Sequence, residues 1–196
     1  MAYLDILFLV PARAGSKRFE GKNRAVFKGK ELWCHAASLC HTAAGMFWSH
    51  QGKQGLYRVV VSTDDAGIPA PPDDLWTRLQ RPDHLATDDA TSEAVALHAL
   101  EHYPADMVCL IQPTSPLRRP LDIVRCVLAC PAYTINRDYG LEPTGAVYTH
   151  YSEALRAGEK FGDARGYVPI PDERSIDVDT EEDLHKAIEY AERVGF

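Results

Sequence analysis

A short loop rich in cations and small residues follows the first apolar run of the chain. Its cations are Arg13, Lys17 and Lys22. The small residues beside them are Ala12, Ala14, Gly15 and Ser16. Small residues let backbone N–H groups approach a ligand closely, and cations beside free N–H donors suit a polyphosphate. The loop has neither Walker A spacing nor a G-x-G-x-x-G pattern, so two interpretations stay open: a phosphate-binding loop, or an ordinary turn with solvated cations.

Two acids in the stretch Ser175–Thr180 have a spacing that suits a metal ion. Asp177 and Asp179 are two residues apart, so in an extended segment both side chains point to the same side. Two carboxylates suit Mg²⁺, a hard cation that also takes phosphate oxygens and waters. The alternative is structural: Asp179 helps to cap the final helix, and Asp177 is solvated.

Polar segments follow two further apolar runs. Gln112–Arg118 predicts either a rigid loop that orients a polyhydroxylated substrate or a turn into the next helix. Ser62–Asp65 predicts either the wall of a ligand crevice or a helix N-cap with acids in the first turn. Arg118 and Arg119 are expected at the solvated start of a helix, with contact to a phosphate or carboxylate as the alternative.

Alternating strand and helix patterns predict the fold. Buried strands are predicted at Leu4–Val10, Tyr57–Ser62 and Met107–Gln112. Helices are predicted at Glu31–Ala44, Thr91–Tyr103, Leu121–Ala129 and Glu181–Val194. Asp89 and Thr180 are the expected N-caps of the second and the last helix. We therefore expect a doubly wound α/β fold with a mostly parallel sheet, built as one domain over residues 1–196.

Two regions interrupt this alternation. The prolines of Ile68–Pro72 exclude a helix or a central strand and predict a surface loop. The stretch Ala132–Pro171 is expected to be irregular, with short strands at Thr144–Thr149 and Tyr167–Ile170. No interdomain linker pattern divides the chain.

Composition and charge argue against several classes of protein. The net charge of −7 argues against a general nucleic-acid binder. No apolar run approaches membrane-spanning length, and no signal-peptide pattern is seen. The five cysteines are odd in number and form no C-x-x-C motif, which predicts a reducing, cytoplasmic location and no zinc site. His98 and His102 are expected to pack or to face solvent.

Taken in order, the motifs resemble those of the CMP-N-acylneuraminate synthetases, or acylneuraminate cytidylyltransferases. The matching stretches are V-P-A-R-A-G-S-K-R-F-E-G-K-N (10–23), V-V-V-S-T-D-D (59–65), R-P-D-H-L-A-T-D-D-A-T-S (81–92), Q-P-T-S-P-L-R (112–118), G-A-V-Y (145–148) and S-I-D-V-D-T-E-E-D-L (175–184). The related octulosonate synthetases are expected to have Q-G-D-E-P in place of Q-P-T-S-P, which favours the acylneuraminate branch. The resemblance implies a Rossmann-like nucleotidyltransferase fold with three α/β/α layers.

The resemblance also implies which residues bind the two substrates. CTP would be held by Ala12, Arg13, Ala14, Gly15, Ser16, Lys17, Lys22, Asn23, Arg81 and Ser92. An acidic nine-carbon sugar would contact Gln112, with Thr114, Ser115 and Tyr148 as further candidates.

The implied reaction joins CTP and a nonulosonic acid to give a CMP-sugar and pyrophosphate. Mg²⁺ would be bound by Asp177 and Asp179, and Asp179 would thereby take part in catalysis. Arg13 and Lys17 would stabilise charge on the leaving pyrophosphate. A transferase for a different small acceptor and a catalytically silent nucleotide-binding module are the alternatives.

The chain departs from the family pattern on the sugar side. The family is expected to have a long insertion, an arm exchanged between subunits, where this chain has only Cys130 to Pro143. Thr144 also stands where the family has Asn. We therefore expect a monomer, or a dimer built on a different surface, with a more open sugar site.

Overall fold

Seven strands form one sheet in the computed structural model, which describes residues 4–51, 55–71, 75–138 and 142–196. In chain order the strands are β1 (Ile6–Pro11), β2 (Val26–Phe27), β3 (Lys30–Glu31), β4 (Tyr57–Thr63), β5 (Thr77–Gln80), β6 (Met107–Ile111), β7 (Ala132–Asn136), β8 (Pro143–Tyr151) and β9 (Gly166–Ile170). Strands β2 and β3 pair separately, and the main sheet has the order β5–β4–β1–β6–β8–β7–β9. Strand β8 is antiparallel to β6 and β7, and the other pairings within this sheet are parallel.

Helices cover both faces of the sheet. They are α1 (Leu32–Gln51), α2 (Ser92–His102), α3 (Pro120–Leu128), α4 (Ser152–Arg156) and α5 (Glu181–Val194). Helices α1 and α3 contact each other on one face, and α2 and α4 contact each other on the opposite face. The expected three-layer, doubly wound, Rossmann-like architecture is therefore confirmed. No helix in the described ranges is long and apolar enough to cross a membrane.

Strand β1 shows why its sequence forms the centre of the sheet. Successive strand residues point to opposite faces. Ile6, Phe8 and Val10 pack into the core beneath α1 and α3, whereas Leu7 and Leu9 pack into the core beneath α2. All five are at most 1% exposed. Burial of such side chains contributes roughly 1.5–3 kcal/mol each, so a continuous apolar run is what a strand with two covered faces requires.

The main elements agree with the predicted ones, with two boundary corrections. The three predicted buried strands and Glu181–Val194 are present, the last capped by Thr180 as expected. Helix α1 continues to Gln51, beyond the predicted end at Ala44. The N-cap of α2 is Thr91 and not Asp89, because the Thr91 hydroxyl accepts a hydrogen bond from the Ala94 N–H.

The expectation of an irregular stretch over 132–171 is wrong in one respect. Residues 132–136 form β7, which pairs with β8 and β9 inside the sheet. This strand mixes polar and apolar residues. Thr134 is buried, and its hydroxyl is satisfied by a hydrogen bond with the Thr144 hydroxyl at 2.7 Å. A short strand with a buried polar residue gives no clear apolar pattern. In the predicted loop Ile68–Pro72, Ile68 is buried, Pro69 is exposed and Pro72 lies outside the described residues.

A buried ion pair fixes the segment that follows β9. Arg174, in the turn after β9, donates to Asp122 in the first turn of α3 over 2.5 and 3.3 Å. The Asp122 carboxylate also accepts a hydrogen bond from the Arg119 N–H, at 2.8 Å. Both charges are buried, with Asp122 1% and Arg174 7% exposed. The pair therefore ties the start of residues 175–180 to α3.

We expect Asp122→Ala to lower the free energy of unfolding by about 3–5 kcal/mol, because Arg174 would keep a buried charge without its partner. Urea unfolding followed by circular dichroism measures the loss. Glu182→Ala is the matched control, since it removes an exposed carboxylate that pairs with Lys186 at 2.8 Å on α5. Equal losses in the two variants would contradict the assigned role of the buried pair.

Candidate active site

A cavity of about 380 Å³ lies at the carboxyl ends of β1 and β6, where open α/β sheets bind ligands. Its lining brings together segments that are far apart in sequence. Seven residues predicted to bind nucleotide or metal contribute to it: Arg13, Lys22, Asn23, Arg81, Ser92, Asp177 and Asp179. Gln112 and Thr114, predicted for the sugar, line it too. That these residues bind CTP, sugar or metal stays a prediction.

The basic loop is held in place by contacts from the protein itself. The buried Asn23 side chain donates to the Arg13 carbonyl at 2.9 Å. Gly21, with φ of 64°, takes the left-handed conformation that starts the short 3-10 turn Lys22–Arg24. The Ala12 N–H donates to the Ser62 carbonyl at 2.9 Å. These contacts place the loop against the end of β4.

Fewer of the small loop residues have free backbone N–H groups than the sequence predicts. Ala12 is fully buried with its N–H bonded, and the Ala14 N–H donates to the Asp64 carboxylate at 2.9 Å. Among the described residues, the N–H groups of Gly15 and Ser16 have no protein acceptor. Only these two of the four small residues therefore offer backbone donors to a ligand.

Both interpretations of Ser62–Asp65 are wrong. No helix begins within residues 64–71, and the four side chains lie outside the lining of the cavity. Instead they brace neighbouring loops. Ser62 accepts a bond from the Arg81 guanidinium, and the Asp65 carboxylate accepts one from the Gly67 N–H at 2.7 Å.

Internal carboxylates pair with the cations of the loop. Asp88 pairs with Arg13 and, at 2.6 Å, with Lys17. Asp179 pairs with Lys22 at 2.8 Å and with Arg18 at 2.7 Å. Lys17 has 86% of its side chain exposed and lies beside the cavity rather than in its lining. The protein's own carboxylates therefore hold the loop cations together at one place.

Arg81 is a further cation with a firmly set position. It is 4% exposed, and its guanidinium donates to the Ser62 hydroxyl at 3.1 Å and to the Ser62 carbonyl at 2.7 Å. Burial lowers the pKa of the Arg81 guanidinium to about 10, so it stays charged at neutral pH. Ser92 begins α2 on the adjacent wall.

The two acids lie in the same cavity wall. The segment that carries them is anchored by the Val178 N–H, which donates to the Thr114 carbonyl at 2.7 Å, and by the fully buried Val178 side chain. Thr180, not Asp179, caps α5. Desolvation in the cavity wall raises the pKa of the Asp177 carboxyl, a hydrogen bond from Thr114 opposes this rise, and the Asp179 charge adds to it. The structural alternative is therefore wrong for Asp179, which does not cap the helix, whereas Asp177 is exposed, as that alternative expects, and also lines the cavity.

The donor set of this wall fits Mg²⁺. Asp177 and Asp179 supply hard oxygen ligands, as Mg²⁺ prefers. No group of three or more His, Cys, Asp or Glu side chains within the described ranges could hold a metal ion. A bound Mg²⁺ would therefore take most of its ligands from phosphate oxygens and waters.

A second cavity, of about 540 Å³, adjoins the first and shares Gln112 and Asp177 with it. Its other lining residues are Asn136, Glu142, Pro143, Thr144, Gly145, Tyr148 and Ser175. Gly145 has φ of 78°, and a Cβ there would lie 3.1 Å from the Gln112 Oε1 atom. Ser115, predicted for the sugar, is 1% exposed and lines neither cavity, because its loop turns inward.

The loop turns inward because Arg118 lies inside it. Arg118 is fully buried, contrary to the expected solvated helix start. Its guanidinium donates to the Ser115 carbonyl at 3.1 Å and to the Gln112 carbonyl. The His35 ring nitrogen Nε2 lies 3.0 Å from the Pro116 carbonyl. Arg118 is thus a positioning residue that sets the backbone between the two cavities.

Sequence reasoning missed several lining residues. Arg18 and Asp88 lie within stretches already quoted for the resemblance, so a charge count of the motifs would have flagged both. Asn136 and Glu142 lie in the stretch expected to be irregular, where no motif marked them. Their position depends on β7, which was not predicted, and on its pairing with β8, which contains the strand predicted at Thr144–Thr149.

We expect acid to destabilise the protein through His35. Burial, followed by the charge of Arg118, lowers the pKa of His35 from 6.5 to about 4. Between these values the unfolded state binds the proton and the folded state does not, so stability falls as pH decreases. Up to about 3 kcal/mol would be lost between pH 6.5 and 4.

Urea unfolding at several pH values in this range tests the effect with His35→Gln, which keeps an N–H donor but does not titrate. His185→Gln, on the exposed side of α5, is the control. A shallower pH dependence in His35→Gln alone is expected. An unchanged slope would show that His35 does not carry it.

Comparison with known proteins identifies the family of the chain. A family model described as "Cytidylyltransferase" matches residues 7–132. The chain is 33% identical over 134 residues to a Legionella pneumophila protein named CMP-N,N'-diacetyllegionaminic acid synthase, covering 63% of this chain and 52% of that one. It is 33% identical over 124 residues to an Escherichia coli N-acylneuraminate cytidylyltransferase, covering 62% of this chain and 27% of that one. The chain thus spans about half, or less, of the length of these relatives.

Solved structures share the fold. A CMP:2-keto-3-deoxy-manno-octonic acid synthetase, solved in complex with CTP, matches with a TM-score of 0.67 at 16% identity, over 97% of this chain and 99% of that one. A nucleotidyl transferase from Methanothermobacter matches with the same TM-score, 0.67, at 14% identity, over 96% and 98% of the two chains. At these identities the likeness concerns the fold alone. With the family model spanning residues 7–132, the chain belongs to the cytidylyltransferase family.

Proposed function

We propose that this protein transfers a cytidylyl group from CTP, bound with Mg²⁺, to a hydroxyl group of a sugar. The observation that carries the proposal is the contact between the two cavities. One is rich in cations, the other is lined by amides and hydroxyls, and Gln112 and Asp177 belong to both. A triphosphate and a sugar bound in them would meet beside the two acids. Family membership and the names of the relatives support this assignment.

The chemistry follows from positions and charges. The sugar hydroxyl gives its proton to solvent water, its oxygen forms a bond to the α-phosphorus, and the bond from that phosphorus to the departing pyrophosphate breaks. Arg13, Lys17 and Lys22 would stabilise the charge that develops on the departing pyrophosphate. Asp177 and Asp179 would hold Mg²⁺, which when bound polarises the α-phosphate. Much of the rate would come from holding the two substrates in contact.

The acceptor has two candidate classes. The names of the relatives support a nonulosonic acid, which carries a carboxylate. The second cavity, however, is lined by the carboxylates of Glu142 and Asp177, and its lining among the described residues includes no Lys, Arg or His. Mg²⁺ would offset the charge of Asp177 but not that of Glu142. This charge favours the second candidate, a neutral or amine-bearing polyol.

The position of β7 bears on assembly. Residues 132–136 lie in the sheet, which leaves only the residues between Asn136 and Pro143 to connect β7 to β8. We therefore propose that the protein is a monomer, or a dimer formed through a surface other than an exchanged arm.

We expect Asp179→Asn to abolish most pyrophosphate release from CTP, Mg²⁺ and a panel of sugars, while metal-free CTP binding is not weakened. The near-isosteric change removes a metal ligand and leaves Lys22 and Arg18 unpaired. Pyrophosphate release and calorimetric titration with CTP measure the two effects. Asp89→Asn is a control at an exposed site outside the cavity lining. Wild-type turnover in Asp179→Asn, or faster release from ATP than from CTP in the unaltered protein, would overturn the assignment.

We expect Glu142→Gln to raise kcat/KM for an acidic acceptor about threefold, because a like charge is removed from the acceptor cavity. The activity with an amine-bearing polyol should fall. Pyrophosphate release with N-acylneuraminate, an octulosonate, a neutral polyol and an amino polyol provides the comparison. Glu153→Gln, an exposed change on α4, controls for net charge. An unchanged ranking of the acceptors would rule out Glu142 as the selecting residue.

A further inference from the structure

One carboxylate in the phosphate region has no role in the proposed reaction. Asp88 lies just before α2 and lines the first cavity. One of its oxygens contacts the Arg13 guanidinium, and the other lies 2.6 Å from the Lys17 ammonium. By contrast, the pairing of Asp179 with Lys22 and Arg18 involves a proposed metal ligand.

The two oxygens of Asp88 take the cations in the way that two phosphate oxygens would. Charge-assisted bonds of this kind are the strong ones, and both partners are among the residues proposed to meet the phosphates. The hydrogen bonds from Lys17 and Arg13 lower the pKa of Asp88 to about 2, so it is negatively charged at any physiological pH. Asp88 and a polyphosphate therefore require the same donors.

The position of the cations also depends on Asp88. The Lys17 side chain is 86% exposed and the Arg13 side chain 30% exposed. Within the described ranges, Asp88 is the ion-pair partner that the two share. Without Asp88 these long side chains would lose their shared ion-pair partner.

We propose that Asp88 is an internal competitor for the polyphosphate: it pairs with Arg13 and Lys17 and must release both when phosphates bind. The inference rests on the proposed function for the location of the phosphates. A triphosphate carries several negative charges and can displace one carboxylate. A monophosphate carries fewer charges, so its attraction to these cations competes less well with that of Asp88. Recapture of both cations by Asp88 would also assist release of pyrophosphate.

The test uses inorganic tripolyphosphate as the probe, with the whole chain and calorimetric titration at low salt. We expect Asp88→Asn to bind it about three- to tenfold more tightly than the unaltered protein, because a competing charge is lost and its cations are freed. Asp89→Asn is the matched control, with the same charge change at the next, exposed position outside the cavity lining. It should change affinity less than twofold. The gain in Asp88→Asn should shrink at high salt.

Unchanged or weaker binding in Asp88→Asn, or an equal gain in Asp89→Asn, would overturn the inference. Thermal unfolding confirms that each variant is folded, and Asp88→Ser provides a second variant without the charge. Monophosphate titration adds an independent arm: the ratio of tripolyphosphate to phosphate affinity should fall in Asp88→Asn. The probe contains neither cytosine nor sugar. A gain for tripolyphosphate without turnover of CTP would therefore refute the proposed function and leave this inference standing.

Discussion

The parallel pairing of β1 with β4 on one side and β6 on the other is the constraint on which the site depends. It places the carboxyl ends of the three strands at one edge of the sheet, so the basic loop after β1 and the polar loop after β6 meet there. The burial of both faces of β1 fixes this register, because a slip of one residue would exchange its two apolar sets between the cores. The chemistry of the site follows from loops that the sheet brings together.

Buried polar contacts then set those loops with more precision than the sheet alone could provide. Arg118 lies inside the loop after β6 and donates to its carbonyls, and the Asp122–Arg174 pair fixes the segment before the two acids. Buried charges are costly unless paired and hydrogen-bonded, so each arrangement tolerates little displacement. The backbone between the two cavities therefore stays in place whichever side chains face a ligand.

The two cavities differ in charge, as expected if one binds the donor and the other binds the acceptor of the proposed reaction. The first is lined by four cations, Arg13, Arg18, Lys22 and Arg81. Asp88 pairs with Arg13, and Asp179 pairs with Arg18 and Lys22. The second is lined by amides, hydroxyls and carboxylates. Of these two cavities, a polyanion would bind more favourably in the first, and the first adjoins the cavity proposed for the acceptor. In the proposed reaction this difference in charge would place the donor on one side of Asp177 and the acceptor on the other.

The sequence by itself determined the class of the fold and the location of the cation-rich loop. The apolar runs of the central strands, the capping of α5 by Thr180 and the grouping of Arg13, Lys17 and Lys22 are local patterns, and local patterns can be read without coordinates. Tertiary structure decided the rest. Arg118 is buried because the loop before it closes over its guanidinium, and β7 is a strand because β8 and β9 supply its partners. Asp88 meets Arg13 across a sequence separation of 75. Such contacts depend on pairing between distant segments, and no composition or period within a segment encodes which distant partner it will meet.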